Sequence, residues 1–501
     1  MPKDKYRELT MQNFDVIIIG AGLGGLGCGY ALAKAGKSVC ILEQGVEIGG
    51  AFQMFRRGGY RFDTGFHYVG GVGQREMMHP LVEFFGLGDL PWHRLDDDAF
   101  EEVIYRGRSY RFAHGYDRFA EQLAEQFPED RKGITALVDV FRGISDHLYD
   151  SLRPDWNIFE NESFTTTAYR FFNEKFQNPV LRQVIVGGCV KSELTEQLPL
   201  YAFSQSINSF IQGSYRLQGG GGTLVHYIAD RFKAMGGTLV TRAKVSELVE
   251  KNGRIVEVHT ADGNVYGART VVSNVHPATT LSLIKESSLV RNVYRRRINN
   301  LRNSYGMFTT QLVLKPGTVK YRNRGIYVHE MEDLWHAYYG KNAPVESLFI
   351  NFSLPPAETN GYATTVDLLT PMLWEQVAEW SDSRVGRRPE AYKEFKQKKA
   401  DECIRLATRY LPELAGNIEN VYTSSPLTYR DYTGTVNGSA YGIRKDSDAL
   451  MMTVLTPKSP VPNLFFTGQN LTLHGMLGVL MASIQTAGCI YGDEASQASL
   501  L

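Results

Sequence analysis

FDVIIIGAGLGGLGCGYALAKAGKSVCILEQGVEIGG, residues 14–50, is the most informative stretch of this 501-residue chain. Residues 14–19 form an apolar run of strand length. Gly20-Ala21-Gly22-Leu23-Gly24-Gly25 follows at once and fits G-x-G-x-x-G. Residues 26–35 have the spacing of an amphipathic helix, 38–42 read as a second strand, and Glu43 closes it. A strand, a glycine turn, a helix and an acid-terminated strand in this register are the unit that grips a dinucleotide. Gly20 allows the tight turn, Gly22 lets a pyrophosphate approach the backbone, and Gly25 lets the helix pack on the sheet. The helix start offers free N–H groups and a partial positive charge to the phosphates. Glu43 stands where a carboxylate accepts from ribose hydroxyls, and its charge disfavours a 2′-phosphate.

The residues after Glu43 separate NAD from FAD. Gln44, the pair Gly49-Gly50 and Ala51 come next, then FDTGFHYVG at 62–70. Near the C-terminus, NLFFTGQNL at 463–471 precedes HGMLGV at 474–479, which runs into a helix-like stretch. An acid, a short loop, a Gly-Gly pair and this late block resemble the FAD flavoproteins of the amine oxidase and phytoene desaturase superfamily. FDTGFHYVG is more narrowly similar to the retinol saturase and carotenoid isomerase branch. The resemblance implies an α/β fold: a Rossmann-type FAD-binding domain interleaved with a mixed-sheet plus helical substrate-binding domain. It implies FAD contacts at Gly20, Gly22, Leu23, Gly24, Gly25, Glu43, Gln44, Gly49, Gly50 and Ala51. It adds Val245 at the adenine and Gly468, Gln469, Asn470, Met476, Leu477 and Gly478 at the ribityl and isoalloxazine end. Many relatives carry Arg where this chain has Ala51, which weakens the transfer of a contact to that position.

The implied segments are 12–79, 216–284 and 456–501 for FAD, with 80–215 and 285–455 for substrate. Residues 80–215 read as helix-rich and aromatic. Residues 238–241, 244–251, 255–260, 265–266 and 271–274 read as strands, after a helix opened by the glycines at 219–222. In the second substrate segment, 309–314, 325–329, 347–353 and 363–369 have strand character, and 371–409 reads as helical.

Composition bounds the partners. Lys+Arg and Asp+Glu are each 54, so the net charge is zero and nucleic acid is excluded as the main partner. Cys28, Cys40, Cys189, Cys403 and Cys489 are scattered, with no C-x-x-C and no zinc spacing. That pattern suggests a reducing compartment and no metal site. No signal peptide or membrane-spanning run is visible. A cytoplasmic location is expected. Peripheral membrane association stays open through the basic residues of 291–302, read by default as a solvated helix face. The sequence does not set the oligomeric state.

The chemistry implied by the resemblance is oxidoreduction at carbon–carbon double bonds of a hydrophobic polyene, in the manner of retinol saturase. Redox-neutral cis–trans isomerisation and phytoene-type desaturation are alternatives, and a prenyl-lipid chaperone on the same scaffold is a distant one. His67 is the leading catalytic candidate, since an imidazole beside a flavin can exchange a proton while a hydride moves. His474 and Tyr441 are the others. No residue in the 468–478 block offers an obvious flavin attachment, so FAD is expected to be non-covalent. Acid precipitation should release all yellow colour into the supernatant; colour retained in the pellet would contradict this.

Overall fold

The computed structural model describes residues 12–153, 157, 162–188 and 191–491; Cys189 lies outside them. The chain forms two compact units. The first contains residues 12–50, 225–301 and 455–491, and the second contains 51–224 and 302–454.

The first unit is built on five parallel strands. Their order is Thr238–Val240, Val39–Leu42, Gln12–Ile19, Val265–Ser273 and Leu464–Phe466. Val265–Ser273 is one continuous strand where the sequence suggested two. Its first half also pairs antiparallel with Arg254–Thr260, which pairs with Val245–Lys251. A polar-free run such as Val16–Ile19 is buried on both faces, as parallel strands require.

Helix Leu23–Lys34 departs from the amphipathic expectation. Every residue from Leu23 to Ala33 is buried. It is enclosed on two sides, and its glycines show how. A Cβ on Gly29 would stand 2.8 Å from Ile41 Cδ1 in the sheet. One on Gly27 would stand 2.9 Å from Ser483 Oγ in helix Gly475–Tyr491. Ser483 Oγ also donates to the Gly24 carbonyl at 3.0 Å, tying the two helices at the nucleotide end.

The second unit holds a seven-stranded sheet. Its order is Ile418–Ser424, Gly306–Leu314, Thr365–Met372, Ser347–Phe352, Gly325–His329, Glu101–Tyr105 and Arg108–Phe112. Only the pairing of Gly325–His329 with Glu101–Tyr105 is parallel. Side chains alternate across a strand. Phe308, Leu312, Ile326, Val328, Leu348, Ile350, Phe352, Val366 and Leu368 therefore share one face, packed with Tyr392, Cys403 and Leu406 of helix Glu390–Tyr410. The opposite face carries Gln311, Asp367, Asn351 and Glu101, all buried.

Several expectations change. The helix read over 371–409 forms only from Glu390, because Pro371 and Met372 pair in the sheet with Met307 and Gly306. Residues 80–215 contribute strands Trp92–Arg94, Glu101–Tyr105 and Arg108–Phe112 besides their helices. The units divide at residues 50, 224, 301 and 454, against 79, 215, 284 and 455 read from the sequence. Residues 54–70 lie with the second unit, where Met54–Arg57 pairs with Tyr60–Asp63 and Val69–Gly70 pairs with Ser214–Leu217.

Gly27→Ala should destabilise the protein. Overpacking a tight helix contact costs about 1–3 kcal/mol, while replacing Gly in a helix gains at most about 1. Removing the nearest atom with Ser483→Ala should make the double variant lose less than the sum of the singles, read as shifts in thermal midpoint. Strict additivity would contradict the contact.

Candidate flavin and proton-transfer sites

The first site is a glycine-lined cradle in the first unit. Gly20 has a φ of 91° at the turn, and a Cβ on Gly25 would collide with the Gly20 carbonyl oxygen. Gly24 meets Gly468 in the same way: a Cβ there would stand 2.8 Å from Gly468 Cα. The loop after Glu43 returns so that Gly49 N–H donates to the Ala21 carbonyl at 2.8 Å. Gly50 then lies against Gly22, at 3.4 Å from a Cβ to Gly22 Cα. No side chain caps the helix at Gly22, and its first turn holds no acid. Uncapped N–H groups beside a bare backbone are what a pyrophosphate needs.

Glu43 is half-buried at the end of its strand. Oε2 accepts from Ala21 N–H at 2.8 Å and Oε1 from Gly45 N–H at 2.7 Å. Each oxygen keeps a further lone pair for a ribose hydroxyl. The carboxylate thus holds the glycine turn, a role the sequence did not suggest. Ala243 N–H donates to the Glu43 carbonyl at 2.8 Å, which sets strand Val245–Lys251 and buried Val245 beside it.

Asn274 escaped the sequence reading. It follows strand Val265–Ser273, and a Cβ on Gly22 would stand 2.8 Å from its Nδ2. Its amide also blocks Cβ positions on Gly24 and Gly468. A polar residue just past the carboxyl end of a parallel strand is the available signal, since ligands of open α/β sheets bind there. Met476 and Leu477 are buried, Gln44 is exposed, and Asn470 is buried. Gly478, in the first turn of the last helix, packs against Leu473. His474 is half-buried in this unit.

The second site lies on the polar face of the second unit's sheet. Gln311, Asp367, Asn351, Gly325 and Glu101 are directly opposite one another on five adjacent strands. Gly325 leaves a gap in this row, and a Cβ there would stand 2.8 Å from Tyr68 Oη. Tyr68 donates to Glu101 at 2.6 Å and sits 2.6 Å from the Tyr327 hydroxyl. Lys191 pairs with Glu101, its ammonium 4.5 Å from the Phe210 ring centroid.

His67 stands over the neighbouring part of the row. Its Nδ1 is 3.3 Å from Asn351 Nδ2 and 3.9 Å from Asp367 Oδ2. Its ring meets Phe349 edge-on at 5.5 Å. Burial, aided by the Arg216 charge, lowers its pKa to about 4. Burial raises Asp367 to about 7 and, with the charge of Asp367, Asp63 to about 8. Near neutrality His67 is therefore a neutral ring. Arg216, 2% exposed, donates to Tyr321 at 2.8 Å, to the Arg324 carbonyl at 3.1 Å and to Asn351 Oδ1 at 3.2 Å. Tyr441 lies elsewhere in this unit: its N–H donates to Ser304 Oγ at 3.0 Å and its ring is 6.0 Å from that of Tyr305. In the basic segment Arg295 is turned inward, donating to the Ile284 carbonyl at 2.7 Å. Among the described residues no helix is long and apolar enough to cross a membrane.

The family model of flavin containing amine oxidoreductases matches residues 23–491. The chain belongs to that family. It is 26% identical over 96% of its length to the all-trans-retinol 13,14-reductase of Macaca fascicularis, of which 86% is covered. It is 23% identical over 86% of its length to the chloroplastic prolycopene isomerase of Arabidopsis thaliana, covering 74% of that protein. An oxidoreductase from Methanosarcina mazei shares the fold, with a TM-score of 0.62, 16% identity, and coverage of 94% of this chain and 99% of that one. The protein is an FAD-dependent oxidoreductase with an α/β FAD-binding fold. The glycine cradle and Glu43 fit that cofactor: the glycines leave backbone N–H groups open to phosphates, and the Glu43 oxygens keep acceptor capacity for ribose hydroxyls.

Glu43→Gln should weaken FAD binding about 10- to 100-fold, the scale of one charge-assisted hydrogen bond of about 1.5–3 kcal/mol. Glu43→Ala should cost more, because Ala21 and Gly45 lose their acceptor together. An unchanged FAD dissociation constant in Glu43→Gln would remove the carboxylate from the site.

Proposed function

We propose that this enzyme saturates a carbon–carbon double bond in a hydrophobic polyene. The observation that carries the reading is the likeness to retinol 13,14-reductases across 96% of the chain, which spans both units. The likeness to a prolycopene isomerase covers less of this chain, so reduction is preferred to redox-neutral isomerisation.

FAD supplies the two-electron hydride chemistry when bound. Gly20, Gly22, Gly24, Gly25 and Gly468 would hold its pyrophosphate side, and Glu43 its adenosine ribose. Asn274 would fix the glycine turns against one another. Gly49, Gly50 and the backbone of Ala51 would close the loop beside them. In the second unit, Phe349, Tyr327 and Phe210 supply apolar surface without a competing charge, in keeping with a polyene. Tyr327 and Phe349 stack at 4.6 Å. Lys191 and Glu101 neutralise one another, so neither draws a charged substrate. A hydrophobic small molecule is the partner this lining suits.

Enzyme reduced anaerobically with dithionite should be reoxidised by a retinoid or carotenoid, and the product should be heavier by two hydrogens. Flavin that stays reduced with every polyene, yet is reoxidised by imines, would move the function to amine chemistry. Rearranged polyene of unchanged mass would assign isomerisation instead.

A further inference from the structure

The geometry points to Asp367 as a proton store that acts through His67, with Arg216 and Asn351 setting the direction of transfer. The inference rests on the saturase reading above.

Saturation breaks one π bond and forms two C–H bonds. One hydrogen arrives as a hydride with both electrons, which the cofactor supplies after reduction by a two-electron donor such as dithionite. The other arrives as a proton, and a group of this chain must hold it in a dry site until then. The row on the sheet contains such a group.

Asp367 is 2% exposed, and its Oδ1 has no hydrogen-bond partner. Gln311 Oε1, across the strand pair, has none either. A buried carboxylate with an unmet oxygen is costly, whereas a carboxylic acid carries its own donor. Among the described residues no permanent cation pairs with it. Asp63, its pKa raised to about 8, is a neutral acid near pH 7, and Tyr429 is a neutral phenol whose pKa is pushed up to about 12. Arg216 reaches Asn351 rather than Asp367. Burial accordingly keeps Asp367 protonated up to about pH 7, against a hydrogen bond from the Asn351 amide that favours the carboxylate.

The direction follows from the amide. Arg216 donates to Asn351 Oδ1, so the Asn351 NH2 group points at His67 Nδ1. Nδ1 is then the acceptor, and the neutral ring carries its hydrogen on Nε2. That Nε2 is buried and has no partner among the described residues, so its N–H is aimed at a group still to come. The Nε2–H proton goes to carbon, the Asp367 O–H proton moves to Nδ1, and Asp367 is left as a carboxylate. A proton from water at Nε2, with return of the Nδ1 proton to Asp367, restores the starting state. The 3.9 Å between Nδ1 and Oδ2 must shorten for the second move. Asp367 is thus a positioning and storage residue, and His67 is the group that would touch substrate.

Three variants test this: Asp367→Asn, which cannot store the proton, Asp367→Glu, which can, and His67→Gln. The infrared carbonyl band of a protonated carboxyl that wild type shows and Asp367→Asn lacks should vanish with a midpoint near pH 7, separate from the Asp63 band, which persists to about pH 8. Stability gives a second readout. A carboxyl whose folded pKa is raised from 3.8 to about 7 stabilises the fold at low pH and loses that contribution as pH rises through this window. Asp367→Asn should therefore gain thermal midpoint relative to wild type above pH 7, and not below pH 4. In single-turnover reoxidation by a polyene, Asp367→Asn and His67→Gln should slow roughly 10²–10⁴-fold with unchanged substrate binding. Asp367→Asn should also lose the alkaline limb of the rate profile, and Asp367→Glu should keep it. A carbonyl band that already vanishes near pH 4, or an alkaline limb intact in Asp367→Asn, would overturn the proposal. If no polyene reoxidises wild type, the saturase reading fails, and the infrared midpoint still decides whether the proton is stored.

Discussion

The first unit depends on backbone meeting backbone at one point. Gly25 reaches the Gly20 carbonyl, and Gly24 lies against Gly468, with no room for a Cβ at either contact. Such packing brings three chain segments, near residues 20–25, 274 and 468, to the carboxyl ends of adjacent parallel strands. A phosphate can then be met by N–H groups rather than side chains. The Glu43 carboxylate ties this arrangement together, because its oxygens bind the N–H groups of Ala21 and Gly45. A substitution at Glu43 therefore acts on the turn geometry as well as on the ribose contact proposed for it.

The second unit solves a different problem with one sheet. One face is apolar and sealed by helix Glu390–Tyr410, which supplies the burial that stabilises the unit. The other face keeps a row of polar groups out of water. Leaving buried donors and acceptors unmet is expensive, typically about 1–3 kcal/mol each. His67 Nε2, Asp367 Oδ1, Gln311 Oε1 and Arg216 Nε are nevertheless unmet, while the Arg216 terminal nitrogens, Asn351 Oδ1 and the Tyr68 hydroxyl are bonded. Unmet polar atoms gathered on one buried face are where the proposed chemistry is placed.

Local signals made the first unit legible. Strand, glycine turn, helix and acid are contiguous within residues 12–43, and their meaning needs no distant partner. The strands at Gly306–Leu314, Gly325–His329 and Ser347–Phe352 were legible from composition. The helix expected over 371–409 misled because a Lys/Glu-rich stretch reads as helix until tertiary pairing claims its start. Asp367, Asn351, Gln311 and Arg216 were not visible as a site. Asp367, Asn351 and Gln311 are cross-strand neighbours, Arg216 comes from a strand of another sheet, and sequence spacing carries no trace of register. His67 was found through its motif, but its neutral state depends on burial and on Arg216, which only the fold brings near.

The central claim is that a hydride and a stored proton are added across one double bond. The most direct measurement is the mass of the product from a single turnover of dithionite-reduced enzyme with a retinoid in D2O. Flavin and side-chain hydrogens that move in such a step exchange with solvent, so saturation predicts two deuterons in each product molecule, on the two carbons of one former double bond. Polyene recovered without deuterium while the flavin stays reduced would contradict the account.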